Sequence, residues 1–271
     1  MSELTAAQRV AIARHPQRPN ITDYISALFT DFFEQKGDRL CKEDAAILGG
    51  AALYHGTPVT VIGTRKGRTL EENLQCNFGM PGPEGYRKAL RLMKQAEKFR
   101  RPVITLIDTS GAYPGLEAEE RGQGEAIARN LYEMSRLTVP VIAVITGEGN
   151  SGGALALGAA NRVLMLENSV YAILSPEGFA SILWKDAARH AEACELMRLT
   201  AQDLLQLGVI DDIIPEPEGG AHTAPIPTMR AVDRCLSRHL AALSKESGSA
   251  LAAGRYQKFR QMGTAAQKEG T

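Results

Sequence analysis

Two glycine-rich segments hold the residue types best able to do chemistry in this chain. The first is Asp108-Thr109-Ser110-Gly111-Ala112-Tyr113-Pro114-Gly115; the second is Gly147-Glu148-Gly149-Asn150-Ser151-Gly152-Gly153. Three chemistries fit the second. Gly147, Gly149 and Gly152 satisfy the G-x-G-x-x-G spacing of a dinucleotide-binding turn, and Glu167 falls where a ribose ligand belongs. The same stretch satisfies G-x-S-x-G, the elbow that exposes a nucleophilic serine, here Ser151. A serine nucleophile also needs a histidine and an acid. His190, His222 and His239 follow, with Asp203, Asp211 and Asp212, and their spacing selects no pair. Ser151 serves equally well as a small residue that closes a turn and caps a helix. The third chemistry uses backbone alone. Adjacent glycines at a helix start expose unpaired N–H groups at the positive end of the helix dipole. Gly152 and Gly153 would then form an oxyanion hole, where one well-placed donor contributes about 3 kcal/mol. Close helix packing accounts for the same glycines.

Each segment follows a short apolar run, Pro102–Ile107 or Pro140–Ile145, and each precedes a helical pattern. Such βα alternation implies a sheet covered on both faces, with ligands at the C-terminal strand ends. Upstream, the apolar period predicts a helix over 21–35, stopped by Gly37. Strands are expected over 45–53 and 58–62, and a second helix over 84–99. Downstream of the first segment a single helix is expected over 117–137. After the second, a short small-residue helix runs from Gly153 to Ala160. Strands over 162–166 and 170–174 come next, then a helix opened by Pro176, a helix over 200–207 and a strand over 209–214. An irregular loop over 215–227 leads to a last amphipathic helix over 228–244. Residues 1–20 read as an N-terminal extension, 21–246 as one domain, and 247–271 as a small, polar tail that frays.

Lys+Arg and Asp+Glu both total 31, so the formal net charge is zero. That excludes a dedicated nucleic-acid binder, which needs a basic excess. No apolar run approaches the roughly 20 residues of a membrane helix, and the start has no signal-peptide core. A cytoplasmic protein without membrane attachment is expected. Cys41, Cys76, Cys194 and Cys235 lie too far apart for a C-x-x-C metal pair, so no metal is expected and the thiols read as reduced.

Many stretches resemble the carboxyltransferase alpha subunits of bacterial acetyl-CoA carboxylases. They include Gly37-Asp38-Arg39-Leu40, Asn77-Phe78-Gly79-Met80-Pro81 and Pro83-Glu84-Gly85-Tyr86-Arg87-Lys88. Gly111-Ala112-Tyr113-Pro114-Gly115, Ala118-Glu119-Glu120-Arg121-Gly122-Gln123 and Ser151-Gly152-Gly153-Ala154-Leu155-Ala156 continue the series, as does Ser175-Pro176-Glu177-Gly178. The similarity spans about residues 8 to 240. Ser110 stands where a Pro is expected, and Asn150 where a Gly is common.

The resemblance implies a crotonase fold of repeated ββα units. It implies transfer of carboxyl from carboxybiotin to acetyl-CoA to give malonyl-CoA, the committed step of fatty acid synthesis. Other crotonase-fold activities remain as alternatives: an enoyl-CoA hydratase or a Ser151 protease. The implied partners are a zinc-ribbon beta subunit in an α2β2 assembly, the biotin carboxyl carrier protein and biotin carboxylase. Biotin is the implied cofactor, attached to the carrier; Met93-Lys94 lies mid-helix here and reads as a solvated lysine. No ATP motif appears, so the ATP-dependent half-reaction belongs to another chain. Gly152 and Gly153 are expected to supply the oxyanion donors. Gly111, Ala112, Tyr113, Pro114, Gly115 and Ala154 are expected to shape the carboxybiotin pocket, and Lys66 and Arg68 to contact an anion. Gly153→Val is expected to cut transfer with the fold intact.

Overall fold

The computed structural model describes residues 4–263. Helix α1 (Ala6–Ala13) starts from a capping box, with Thr5 accepting from the Gln8 N–H and Gln8 reaching back. Helix α2 (Ile21–Leu28) is capped in the same way by Asn20 and Asp23. The single helix expected over 21–35 ends there. Phe29 turns extended, and strand β1 (Thr30–Glu34) follows. Asp31 sits at φ 52°, and the pairing of β1 slips between Thr30 and Phe33. Phe33 is 70% exposed, so the apolar stripe that suggested a longer helix is not buried as one. Strands β2 (Ile47–Tyr54) and β3 (Thr57–Thr64) form a tight hairpin whose two turn residues, His55 and Gly56, both have positive φ.

The middle of the chain follows the βα alternation. A short helix α3 (Leu70–Gln75) precedes α4 (Pro83–Lys98), which starts with Pro at a tolerated position. Strand β4 (Val103–Thr109) leads to α5 (Leu116–Glu120) and α6 (Gln123–Arg136). These replace the single helix expected over 117–137, because Gly122 takes a left-handed φ of 83° between them. Strand β5 (Val141–Asn150) is longer than the apolar run that announced it and passes directly into α7 (Ser151–Gly158). Strands β6 (Arg162–Leu166) and β7 (Val170–Ala172) then precede helices α8 (Pro176–Trp184), α9 (His190–Met197) and α10 (Ala201–Gln206). The chain closes with strand β8 (Asp212–Ile214), α11 (Pro225–Leu243) and α12 (Gly248–Gln261).

The sheet runs β1-β2-β3-β4-β5-β6-β8, antiparallel through the first hairpin and parallel from β3 onward. Strand β7 pairs separately with the far end of β5. Two ββα units, β2-β3-α4 and β6-β7-α8, stand in this order. Alternate residues of β5 feed opposite cores: Ile142 and Val144 meet α2 and α11, while Val141, Ala143 and Ile145 meet α4, α6 and α7. Burial on both faces explains why β4 and β5 read as unbroken apolar runs. Among the described residues no helix is long and apolar enough to cross a membrane.

Helix α12 corrects the expectation of a fraying tail over the part of it that is described. Arg255 is 1% exposed and donates to the Met134, Leu137 and Val139 carbonyls and to Asn161. Small, polar residues hid this anchor. Residues 264–271 of the expected tail lie outside the described residues. The N-terminal extension is also docked: Arg9 meets the Glu167 carbonyl and Asn168, and Arg18 pairs with Glu216.

Candidate active site

Strand β5 delivers the second glycine segment to the C-terminal edge of the sheet. Ser151 takes a left-handed φ of 60°, so strand gives way to helix without a loop. Asn150 caps α7 with no side-chain bond. Among the described residues, the Gly152 and Gly153 N–H groups have no hydrogen-bond partner within the chain. They are orphan donors at the positive end of the α7 dipole.

The first glycine segment packs directly against this helix start. A Cβ on Gly153 would lie inside contact with the Ala112 nitrogen, 2.6 Å from the Gly111 carbonyl carbon and 2.8 Å from the Tyr86 hydroxyl. A Cβ on Gly152 would meet only Ile127, at 3.5 Å. Gly153 is therefore required by close approach, whatever its N–H does, and Gly153→Val cannot leave the fold intact as expected. Among the described residues the Ala112 N–H also has no partner, and it lies against Gly153. Nothing in the sequence marked that amide as a donor. The Gly111 N–H donates to the Thr109 hydroxyl at 3.1 Å, and the Tyr113 N–H to the Pro81 carbonyl at 3.0 Å. Gln123 donates to the Pro81 and Tyr113 carbonyls and fixes the loop from α6. The Tyr113 ring lies over Gly115, where any side chain would strike it.

An apolar cavity of about 800 Å³ opens beside the start of α7. Ser151, Gly152 and Leu155 form one wall, and Ile173, Phe259 and Met262 contribute to the others. Of the residues expected to bind or catalyse, Gly152 lines this cavity. Gly153 is buried behind it, and the Ala154 methyl is wholly buried in the core. Gly111, Ala112, Tyr113, Pro114 and Gly115 stand behind and beside the helix start rather than in that wall.

Beneath both loops runs a chain of ion pairs. Asp108, at the end of β4, accepts from Lys66 Nζ at 2.7 Å and from the Glu148 N–H at 2.9 Å. Glu148 accepts from Lys66 at 3.3 Å and from Arg14 at 2.7 Å, and Arg14 pairs with Glu177 at 2.6 Å. Burial pushes the Lys66 ammonium down, but Asp108 and Glu148 outweigh it and hold its pKa above the ordinary value. Lys66 is thus neutralised by two carboxylates rather than free for an external anion. Arg68 pairs with Asp23, 2.6 Å from Oδ2. Both basic residues expected to contact an anion have carboxylate partners within the chain. Their positions in a basic loop gave no sign of these acids, which lie far away in sequence. Two acids flanking glycine-rich strand ends, Asp108 and Glu148, were the available signal.

The rival chemistries fare poorly. Among the described residues no histidine bonds to Ser151: His239 pairs with Asp212 at 3.0 Å, and His222 stacks on His15 at 3.6 Å. No serine nucleophile is assembled. The dinucleotide reading fails on topology, because the parallel strands follow in sequence order and offer no reversal where such a cofactor sits. Glu167 instead accepts from the Glu216 N–H at 3.0 Å. Asp212, Cys235 and His239 converge within 4.8 Å, but the Arg238 guanidinium meets the same Asp212 oxygen. That carboxylate already has its countercharge.

A sheet built from ββα units in this order is the architecture of the crotonase fold. A Pseudomonas malonate decarboxylase hetero-tetramer in complex with coenzyme A contains a chain that superposes with a TM-score of 0.71 at 17% identity, covering 91% of this chain and 96% of that one. Transcarboxylase 12S superposes with a TM-score of 0.67 at 19% identity, covering 88% of this chain and 45% of that one. Residues 1–263 match the family described as acetyl co-enzyme A carboxylase carboxyltransferase-like. The acetyl-coenzyme A carboxylase carboxyl transferase subunit alpha of Geobacillus thermodenitrificans is 61% identical over 97% of this chain and 81% of its own length. Its counterpart in Listeria monocytogenes is 56% identical over 97% of this chain and 82% of its own length. The chain belongs to the family of acetyl-CoA carboxylase carboxyltransferase alpha subunits.

Proposed function

We propose that the unpartnered Gly152 and Gly153 amides are the working groups of this carboxyltransferase, which moves carboxyl from carboxybiotin to acetyl-CoA to form malonyl-CoA. The observation that carries the reading is Gly152 itself: an orphan N–H at a helix start, in the wall of a large apolar cavity. The donor set fits biotin. Its ureido oxygen needs N–H donors, and its ring and thioether need apolar walls of the kind Leu155 and Ile173 provide. When bound, carboxybiotin supplies the carboxyl group, and its ring nitrogen can take the acetyl α-proton. No protein base is then required.

The chain's own part is electrostatic. The Gly152 and Gly153 N–H groups hold negative charge on an oxygen at the positive end of α7, where one donor contributes about 3 kcal/mol. The Gly111–Gly115 loop fixes the helix start by packing on Gly153. The apolar lining of the cavity lowers the local dielectric, which strengthens these dipoles. In this reading a zinc-ribbon beta subunit brings the acyl-CoA in an α2β2 assembly. The biotin carboxyl carrier protein delivers the biotin, charged by biotin carboxylase. Mixing the purified chain with its beta subunit and measuring malonyl-CoA decarboxylation with free biotin tests the proposal. Activity in the mixture alone supports it; turnover by this chain alone, or an inactive mixture, overturns it.

A further inference from the structure

Helix α1 ends in an arginine that reaches the strand end just before the α7 amides. We infer that Arg14 is a positioning residue for carboxyl transfer, acting through Glu148; the inference rests on the function proposed above. Arg14 Nε lies 2.7 Å from Glu148 Oε1, and its Nη1 lies 2.6 Å from Glu177. Glu148 stands three residues before Ser151, within the irregular stretch of β5 between its Ile145 and Gly149 pairings with β4. The same carboxylate accepts from Asn150 Nδ2 at 3.4 Å and from Lys66 at 3.3 Å, and its own N–H is held by Asp108. A Cβ on Gly147 would fall 2.5 Å from an Asp108 oxygen, so this carboxylate lies against the strand backbone. Two strand ends, and hence both glycine loops, are tied through one set of charges.

The charge balance shows what Arg14 does there. Asp108 and Glu148 share one ammonium, Lys66, and Glu148 is only 5% exposed. Without Arg14, two carboxylates would divide a single cation in a largely dry site. An under-compensated buried charge is costly and draws its backbone toward water. The segment that would move is the one carrying Ser151, Gly152 and Gly153. A displacement of about 1 Å at reacting groups can cost on the order of a hundredfold in rate.

The simpler role for Arg14 is to dock α1. Arg9 docks the same helix through the Glu167 carbonyl, at 3.0 Å, and Asn168, at 2.7 Å, without touching Glu148. Comparing the two separates the roles. The full chain would be mixed with its beta subunit, and kcat and KM for malonyl-CoA decarboxylation with free biotin measured alongside Tm. Arg14→Met is expected to lower kcat roughly ten- to hundredfold with KM for malonyl-CoA unchanged. Arg14→Lys should recover part of the loss, and Arg9→Met should lower Tm while keeping kcat. An unaltered kcat for Arg14→Met, or equal losses in the two helix variants, overturns the inference. If Arg14→Met does not assemble, Arg14→Lys carries the test, because it keeps the charge but not the fork to both glutamates. An inactive wild-type mixture sinks the carboxyl-transfer reading itself and is told apart at once.

Discussion

Gly152 and Gly153 look interchangeable in the sequence, yet a single methyl group should separate them sharply. At Gly153 the methyl of an alanine would sit 2.6 Å from the Gly111 carbonyl carbon and 2.8 Å from the Tyr86 hydroxyl, against 3.4 Å for ordinary contact. Two of its three close neighbours are backbone, the Ala112 nitrogen among them, so no flexible side chain can simply swing aside. The Gly111–Ala112 loop must retreat by most of an ångström, and overpacking of this kind costs about 1–3 kcal/mol. At this chain length each kcal/mol lowers Tm by roughly 2–4 °C. Gly153→Ala should therefore melt several degrees early, and its displaced loop should reduce carboxyl transfer on the order of tenfold or more. Gly152→Ala meets nothing nearer than Ile127 at 3.5 Å and keeps its N–H. Exchanging a helical glycine for alanine gains about 0.5–1 kcal/mol, so Tm should hold or rise and transfer should persist. Thermal melts and decarboxylation rates of the two variants with the beta subunit decide the matter. Gly153→Ala with wild-type Tm and rate, or equal damage from both, would refute the packing argument.

Further outcomes follow from three buried polar sites. Arg18 and Glu216 form a shielded pair, with Arg18 also donating to the Thr146 carbonyl, so Arg18→Met should cost about 3–5 kcal/mol in urea unfolding. Burial pushes the Glu216 carboxyl up, but Arg18 and Asn168 outweigh it and hold it below the usual range. Its stabilisation is thus complete above the unfolded value of about 4.3 and lost as pH falls through the depressed one. Acid unfolding of Arg18→Met should begin at higher pH than that of the wild type. Arg255→Met leaves the Leu137 and Val139 carbonyls without their donor, while Met134 keeps the Leu137 N–H, and at about 1–3 kcal/mol each it should lower the unfolding free energy by at least about 2 kcal/mol. The Tyr86 hydroxyl is buried with no partner among the described residues, so Tyr86→Phe should leave Tm unchanged or raised in a thermal melt.

The alternation of apolar runs with glycine turns was enough to place β4, β5 and the start of α7, because burial on both faces of a parallel sheet leaves an unmistakable run. What the sequence concealed was set by contacts distant along the chain. The end of α2 depends on Asp31 and a slip of β1 against β2, not on the local apolar period. Helix α12 is anchored chiefly through Arg255, whose acceptors lie more than a hundred residues upstream, or nearly so at Asn161, with Leu251 in the core beside it. Within the candidate site, the adjacent glycines were legible, and so was their place at a strand end. The division of labour between them was not, since it depends on what packs behind Gly153. Lys66 and Arg68 read as free cations only because Asp108, Glu148 and Asp23 are remote in sequence.

The two ends of the described chain come back to its middle. Phe259 and Met262, near the last described residue, stand in the cavity wall, while Arg14 tethers the strand that leads into α7. A fragment cut to residues 100–174 would hold every amide assigned here and still lack both. The site cannot be transplanted as a compact module. Premature termination late in the coding sequence would strike the cavity itself, leaving the donors present but their enclosure broken.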